Sequence, residues 1–171
     1  YYRISPLLIN MAKEIWTDAE VKELHAHAVK ALLSEKTLSP IEASNALLHG
    51  IIGESGEALM PLMFFLLMNK KDVLFQISED LRWLIVLAII PGQKIYPKNP
   101  IVSLMLRHLQ FRVALEVDKK DIAVTVAQAW EHEVEDCPIN ELKAGHRLLF
   151  LIETLIRHEV PFPLIVILSR V

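Results

Sequence analysis

The sequence has one cysteine, Cys137, and five glycines in 171 residues. A single cysteine excludes an internal disulfide framework and fits a reducing, cytoplasmic compartment. So few glycines argue against an all-β fold, whose turns consume them. There is no glycine-rich phosphate loop of Walker type and no dinucleotide fingerprint after a strand. His-Glu-x-x-His is absent, and none of the seven histidines has a glutamate three residues before it. The second absence removes the di-iron carboxylate bundle. A net charge of −3 gives nucleic acid little to bind. The longest uncharged apolar run, Ala58 to Met68, is too short for a bilayer, so neither a membrane span nor a signal peptide is expected. Cys137 lies between acidic residues and Pro138, the opposite of the positive surroundings a reactive thiol requires. The chain opens on Tyr1 and stops at Val171 inside an apolar run, as a fragment would.

What is abundant is apolar side chain: 53% of residues, with a mean hydropathy of +0.34. Monomers rarely expose large apolar patches, so this excess predicts a homo-oligomeric interface, dimeric or higher. Helical periodicity dominates, and start signals recur. Thr17-Asp-Ala-Glu20 reads as a capping box, and Ser39-Pro40-Ile41-Glu42 as a second one with proline at the first helical position. The second helix is expected to run through Glu54 and Glu57 toward Pro61, which kinks or ends it. Asn69 to Asp72 forms a polar joint, and a helix over 73–90 stops at Pro91-Gly92. Asn99-Pro100 opens a helix to about Val117, Asp118 caps the next as far as Cys137-Pro138, and another spans 139–159. No period-two strand pattern competes. The expectation is an all-α bundle of about seven helices. Residues 1–92 form its core, and 93–171 add helices packed on the same domain beyond the Pro91–Pro100 connector.

The chemistry concentrates in "LLHGIIGESGEALMPLMFFLLMNKK", residues 47–71. Glu54 and Glu57 are three apart, which on one helix face sets their side-chain origins roughly 5–6 Å from each other. Two close carboxylates repel unless a cation neutralises them, and oxygen ligands suit Mg²⁺ or Mn²⁺. Gly53 and Gly56 flank them at a cost of about 1 kcal/mol each in a helix interior, which is sensible where a ligand or helix must come close. The alternative is a polar stripe at a kink, with the glycines serving helix packing alone. On the next helix, "VLFQISEDLRWLIVLAII" places Gln76, Glu79 and Asp80 on one face. Antiparallel packing would direct that face at Glu54 and Glu57 and build a metal pocket of facing acids. Lys70 and Lys71, in the joint, offer countercharge to a triphosphate.

These stretches resemble a known family. "LLHGIIGESGEAL" is similar to the first metal-binding helix of the MazG-type all-α nucleotide pyrophosphohydrolases, and "VLFQISEDLRWLIVLA" to their second, Glu-x-x-Asp, motif. The resemblance covers about Asn45 to Ile90. It implies an oligomeric bundle that cleaves a nucleoside triphosphate to the monophosphate and pyrophosphate with Mg²⁺. It would make Glu54, Glu57 and Asp80 metal ligands, with Glu57 or Glu79 positioning the attacking water. Ile77 stands where the family has the glutamate of its second motif, Glu79 where it has a small residue, and Pro61 is a further departure. One metal-binding carboxylate is thereby replaced, so a second expectation stands beside catalysis: a non-catalytic helical interaction protein, an adaptor, assembly subunit or inhibitor.

Among the remaining residues, His25 and His27 point to different helix faces and read as surface histidines. Trp83 and Trp130 read as core. Arg107, His108 and Arg112 form a modest basic patch, its partner a phosphate or the acidic run Glu131 to Asp136.

Overall fold

A computed structural model describes residues 15–68, 76–87 and 93–156, the stretch 149–156 by its backbone alone. The described residues hold seven helices and no strand, as the periodicity requires. They are α1 (Asp18–Ser34), α2 (Pro40–Ile52), α3 (Gly56–Met68), α4 (Arg82–Ile85), α5 (Pro100–Glu116), α6 (Lys120–Glu135) and α7 (Asn140–Ile156). The chain divides into two compact units, Tyr1–Ala58 and Leu59–Val171.

The first unit is a helical hairpin of α1 and α2. Both helices begin with reciprocal caps. Thr17 accepts from the Glu20 amide while Glu20 reaches back to the Thr17 amide at 2.8 Å. Ser39 and Glu42 repeat the arrangement, with Pro40 opening the helix. Each box satisfies two amide donors that a helix start leaves without partners. The bond to its cap hydroxyl and amide also holds each glutamate, Glu20 and Glu42, below the usual carboxylate range. Along the facing sides Val29, Ala43, Ala46 and Leu47 are buried.

α2 does not run on to Pro61. It ends at Ile52, and the chain turns through Gly53, Glu54 and Ser55 before α3 begins. The Ser55 amide donates to the Gly50 carbonyl at 2.9 Å and the Glu54 amide to Ile51 at 3.2 Å, while Glu54 takes a left-handed φ of 50°. This is a Schellman stop, in which glycine usually occupies the left-handed position. Here Gly53 precedes that position and serves another need. A Cβ on it would lie 2.7 Å from the Ala26 amide nitrogen and 2.9 Å from the His25 Cβ, so α2 ends in backbone contact with α1. Pro61 lies inside α3, where it withholds a donor from the Glu57 carbonyl without ending the helix.

The second unit is organised around α5, which packs against α4, α6 and α7. Asn99 caps it, its Oδ1 accepting from the Ile101 and Val102 amides, with proline next. The helix is buried almost all round from Val102 to Ala114. It ends in a second Schellman stop, with the Lys119 amide donating to Ala114 at 2.8 Å and Asp118 at a φ of 54°. Asp118 is therefore the end of α5 and not the expected side-chain cap of α6, whose capping residue is Lys119. The helix expected over 73–90 is interrupted in its described part. Gln76–Ser78 form a helical turn, Glu79–Leu81 a bend, and α4 is one turn long. No helix among the described residues is long and apolar enough to cross a membrane.

Candidate functional site

The break after α2 decides where the two glutamates go. Because the chain turns at Gly53–Ser55, Glu54 follows one helix and Glu57 opens the next, so they do not share a helix face. Glu54 accepts from Lys22 Nζ of α1 at 2.7 Å, with both side chains partly exposed. Glu57 is exposed in the first turn of α3. Glu79 and Asp80 belong to the second unit, on the bend before α4. Glu79 ion-pairs with Arg82 at 2.7 Å in solvent, and Asp80 is half-buried. Ile77, at the position of the replaced glutamate, is a core residue 4% exposed. Lys70 and Lys71 lie outside the described residues. Among the described residues no group of three or more His, Cys, Asp or Glu side chains stands as metal ligands would.

Two other constellations come together instead. In the first unit, His25 of α1 and His49 of α2 meet, Nδ1 to Nδ1, at 2.6 Å, with the rings tilted by 40°. Burial, and then charge on His25, lowers the pKa of His49. The two histidines line a recess of about 160 Å³ together with Trp16, Val21 and Leu24. His25 is thus half-buried and partnered, whereas His27 is exposed as expected. The pairing had a sequence signal: the two histidines lie symmetrically about Thr37, in the turn of the hairpin, and antiparallel helices bring such positions together.

In the second unit, the supposed basic patch is interior. Arg107 is fully buried, its Nε donating to Glu133 Oε1 at 2.6 Å, Nη1 to Gln110 Oε1 at 2.9 Å and Nη2 to the Gln93 carbonyl at 2.6 Å. Ser103 Oγ donates to the other Glu133 oxygen at 2.6 Å and accepts from the Tyr96 amide at 3.2 Å. Gln110 Nε2 donates to the Leu84 carbonyl at 2.8 Å, closing the end of α4. Arg112 Nη1 donates to Leu66 at 3.2 Å, doing the same for α3. The partner of the basic helix is therefore the acidic run, through Glu133. Each of the three guanidinium nitrogens of Arg107 donates to a partner inside the unit, so the network is structural.

The third feature is α3 itself. Leu59, Leu62, Met63 and Leu66 are buried on one face, while Phe64, Phe65 and Met68 are 60%, 54% and 63% exposed on the other. With exposed Pro61, the outward residues fall at i, i+3, i+4 and i+7, a complete apolar helical stripe without a charge. No protein-family model, curated protein or solved structure matches the chain.

Proposed function

We propose that this chain is a helical interaction and assembly protein whose docking element is the outward face of α3, and that the face pairs with a second copy of itself. The observation that carries the reading is the exposed stripe Pro61, Phe64, Phe65 and Met68. A two-fold pairing sets the same patch against itself. An uncharged patch can do this without opposing like charges, and the large rings supply the aromatic anchors that dominate interface energies. Burying the three large side chains on each of two copies offers roughly 5–10 kcal/mol gross. Association entropy takes a large share, leaving a reversible assembly. The apolar excess of the whole sequence agrees with such an interface. Sedimentation velocity should show a dimer or larger species that Phe64→Glu converts to monomer with unchanged helical circular dichroism. A monomeric wild type, at concentrations up to the millimolar range, would overturn self-pairing.

A second reading is the nucleotide pyrophosphohydrolase that the sequence resembles, taking Mg²⁺ or Mn²⁺ and a nucleoside triphosphate. It rests on the resemblance of the two motifs, with Glu57 and Glu79 both at the surface, Glu79 paired there with Arg82. Among the described residues no three or more His, Cys, Asp or Glu side chains gather as metal ligands. Mg²⁺-dependent pyrophosphate release from nucleoside triphosphates, abolished by Glu57→Gln, tests it; no release by wild type ends it.

A further inference from the structure

The His25–His49 contact joins two helices through nitrogen atoms only. At 2.6 Å one Nδ1 must carry the hydrogen and the other the lone pair. The neutral pair satisfies this, and so does a singly charged pair, because the extra proton can sit on the Nε2 of the donating ring. A second extra proton can go only onto the accepting Nδ1, which sets two N–H groups and two positive charges against each other. Gly53 sets the end of α2 directly against the Ala26 amide and the His25 Cβ, so the two rings face each other across a close helix contact. One ring must then swing into the recess beside Trp16, Val21 and Leu24, or the helices must part.

Neighbouring charges leave this logic intact. Lys22, one turn from His25, and Glu54, just past Gly53, pair with each other and present no net charge. Glu20 and Glu42 are engaged in their caps, and Glu23 and His27 of α1 are exposed.

We propose that the His25–His49 pair is a proton-operated clasp between α1 and α2, closed while the pair holds no more than one extra proton and released by the second. The lowered pKa of His49 supports the order of events: its charged form is disfavoured where it sits, so stability is complete above the ordinary imidazole pKa and is lost as pH falls below it. The two titration steps belong to the pair and not to either ring.

Amide hydrogen exchange of the intact chain, corrected for intrinsic rates, tests the clasp between pH 7 and pH 5, where carboxylates ordinarily stay charged. Protection of the amides over 21–29 and 46–53 should fall by up to about tenfold per pH unit in wild type. In His49→Gln, whose amide can bond His25 without taking a proton, protection should stay level. Imidazole NMR of wild type gives an independent reading, with the second step of the coupled pair falling below the ordinary imidazole range. Equal pH dependence in the two proteins, or wild-type protection that does not change, would overturn the proposal. If His49→Gln fails to fold, independent titration of the two rings in wild type would overturn it equally.

Discussion

His146 of α7 lies against the Trp130 ring of α6, with centroids 6.0 Å apart and planes tilted by 56°. The residue is 6% exposed, and its buried Nδ1 has no hydrogen-bond partner among the described residues. Burial without compensation penalises the charged ring, and the pKa is pushed down from 6.5 to about 4. Because the unfolded chain takes the proton first, this contribution to stability is full above 6.5 and is lost progressively as pH falls from there to about 4. At about 1.4 kcal/mol per pH unit, the gap from 6.5 to about 4 amounts to about 3 kcal/mol, a large part of a small unit's stability. Carboxylates and other histidines add their own pH dependence, so the assay is a comparison. Urea unfolding of wild type and His146→Leu, followed by circular dichroism at half-unit steps from pH 7 to pH 4, isolates the contribution of this ring. The variant should forfeit some packing at pH 7 yet lose about 3 kcal/mol less than wild type on acidification. Parallel pH profiles, or a His146 imidazole resonance with an ordinary midpoint, would refute the reasoning.

Glu133→Ala should destabilise the second unit by about 3–5 kcal/mol, because it leaves the Arg107 guanidinium buried without its counter-ion; chemical denaturation measures it. Replacing both partners at once, Arg107→Met with Glu133→Leu, should recover much of that loss. Gly53→Ala should cost about 1–3 kcal/mol in the same assay, since the new methyl meets backbone of α1 at 2.7 Å. Asp118→Gly should raise the melting temperature, by the equivalent of about 0.5–1 kcal/mol, since glycine carries no Cβ penalty at a φ of 54°. Asp118 is largely exposed, and its side chain pairs at 4.0 Å with Lys120.

The helix starts were legible because a start has local chemistry: hydroxyl, glutamate and proline at fixed offsets wrote out Thr17, Ser39 and Asn99 before any coordinates. The stops of α5 near Val117 and of α6 before Cys137-Pro138 were legible too, but that of α2 was not: its Schellman turn places Glu54 where glycine is the usual sign. Gly53 misled for a related reason, since a glycine that ends a helix and one that lets another helix approach look alike in one dimension. The break it permits is what parts Glu54 from Glu57. The polar residues of α5 were misread as surface because periodicity assumes one buried face, and a helix surrounded by neighbours has none to spare. Arg107 becomes interpretable only when Glu133, far along the chain, is seen beside it.

Arg107 ties together three stretches that sequence alone would vary independently: the connector at Gln93, its own helix at Gln110, and α6 at Glu133. Gln93 contributes only its backbone carbonyl and is free to vary, but a drift at Glu133 strands a permanent cation in a dry interior, so tolerated changes among the side chains must arrive in company. Descendants of this chain should therefore keep or exchange Ser103, Arg107, Gln110 and Glu133 as a block, and the block, more than Glu54 and Glu57, is the mark by which kin could be recognised.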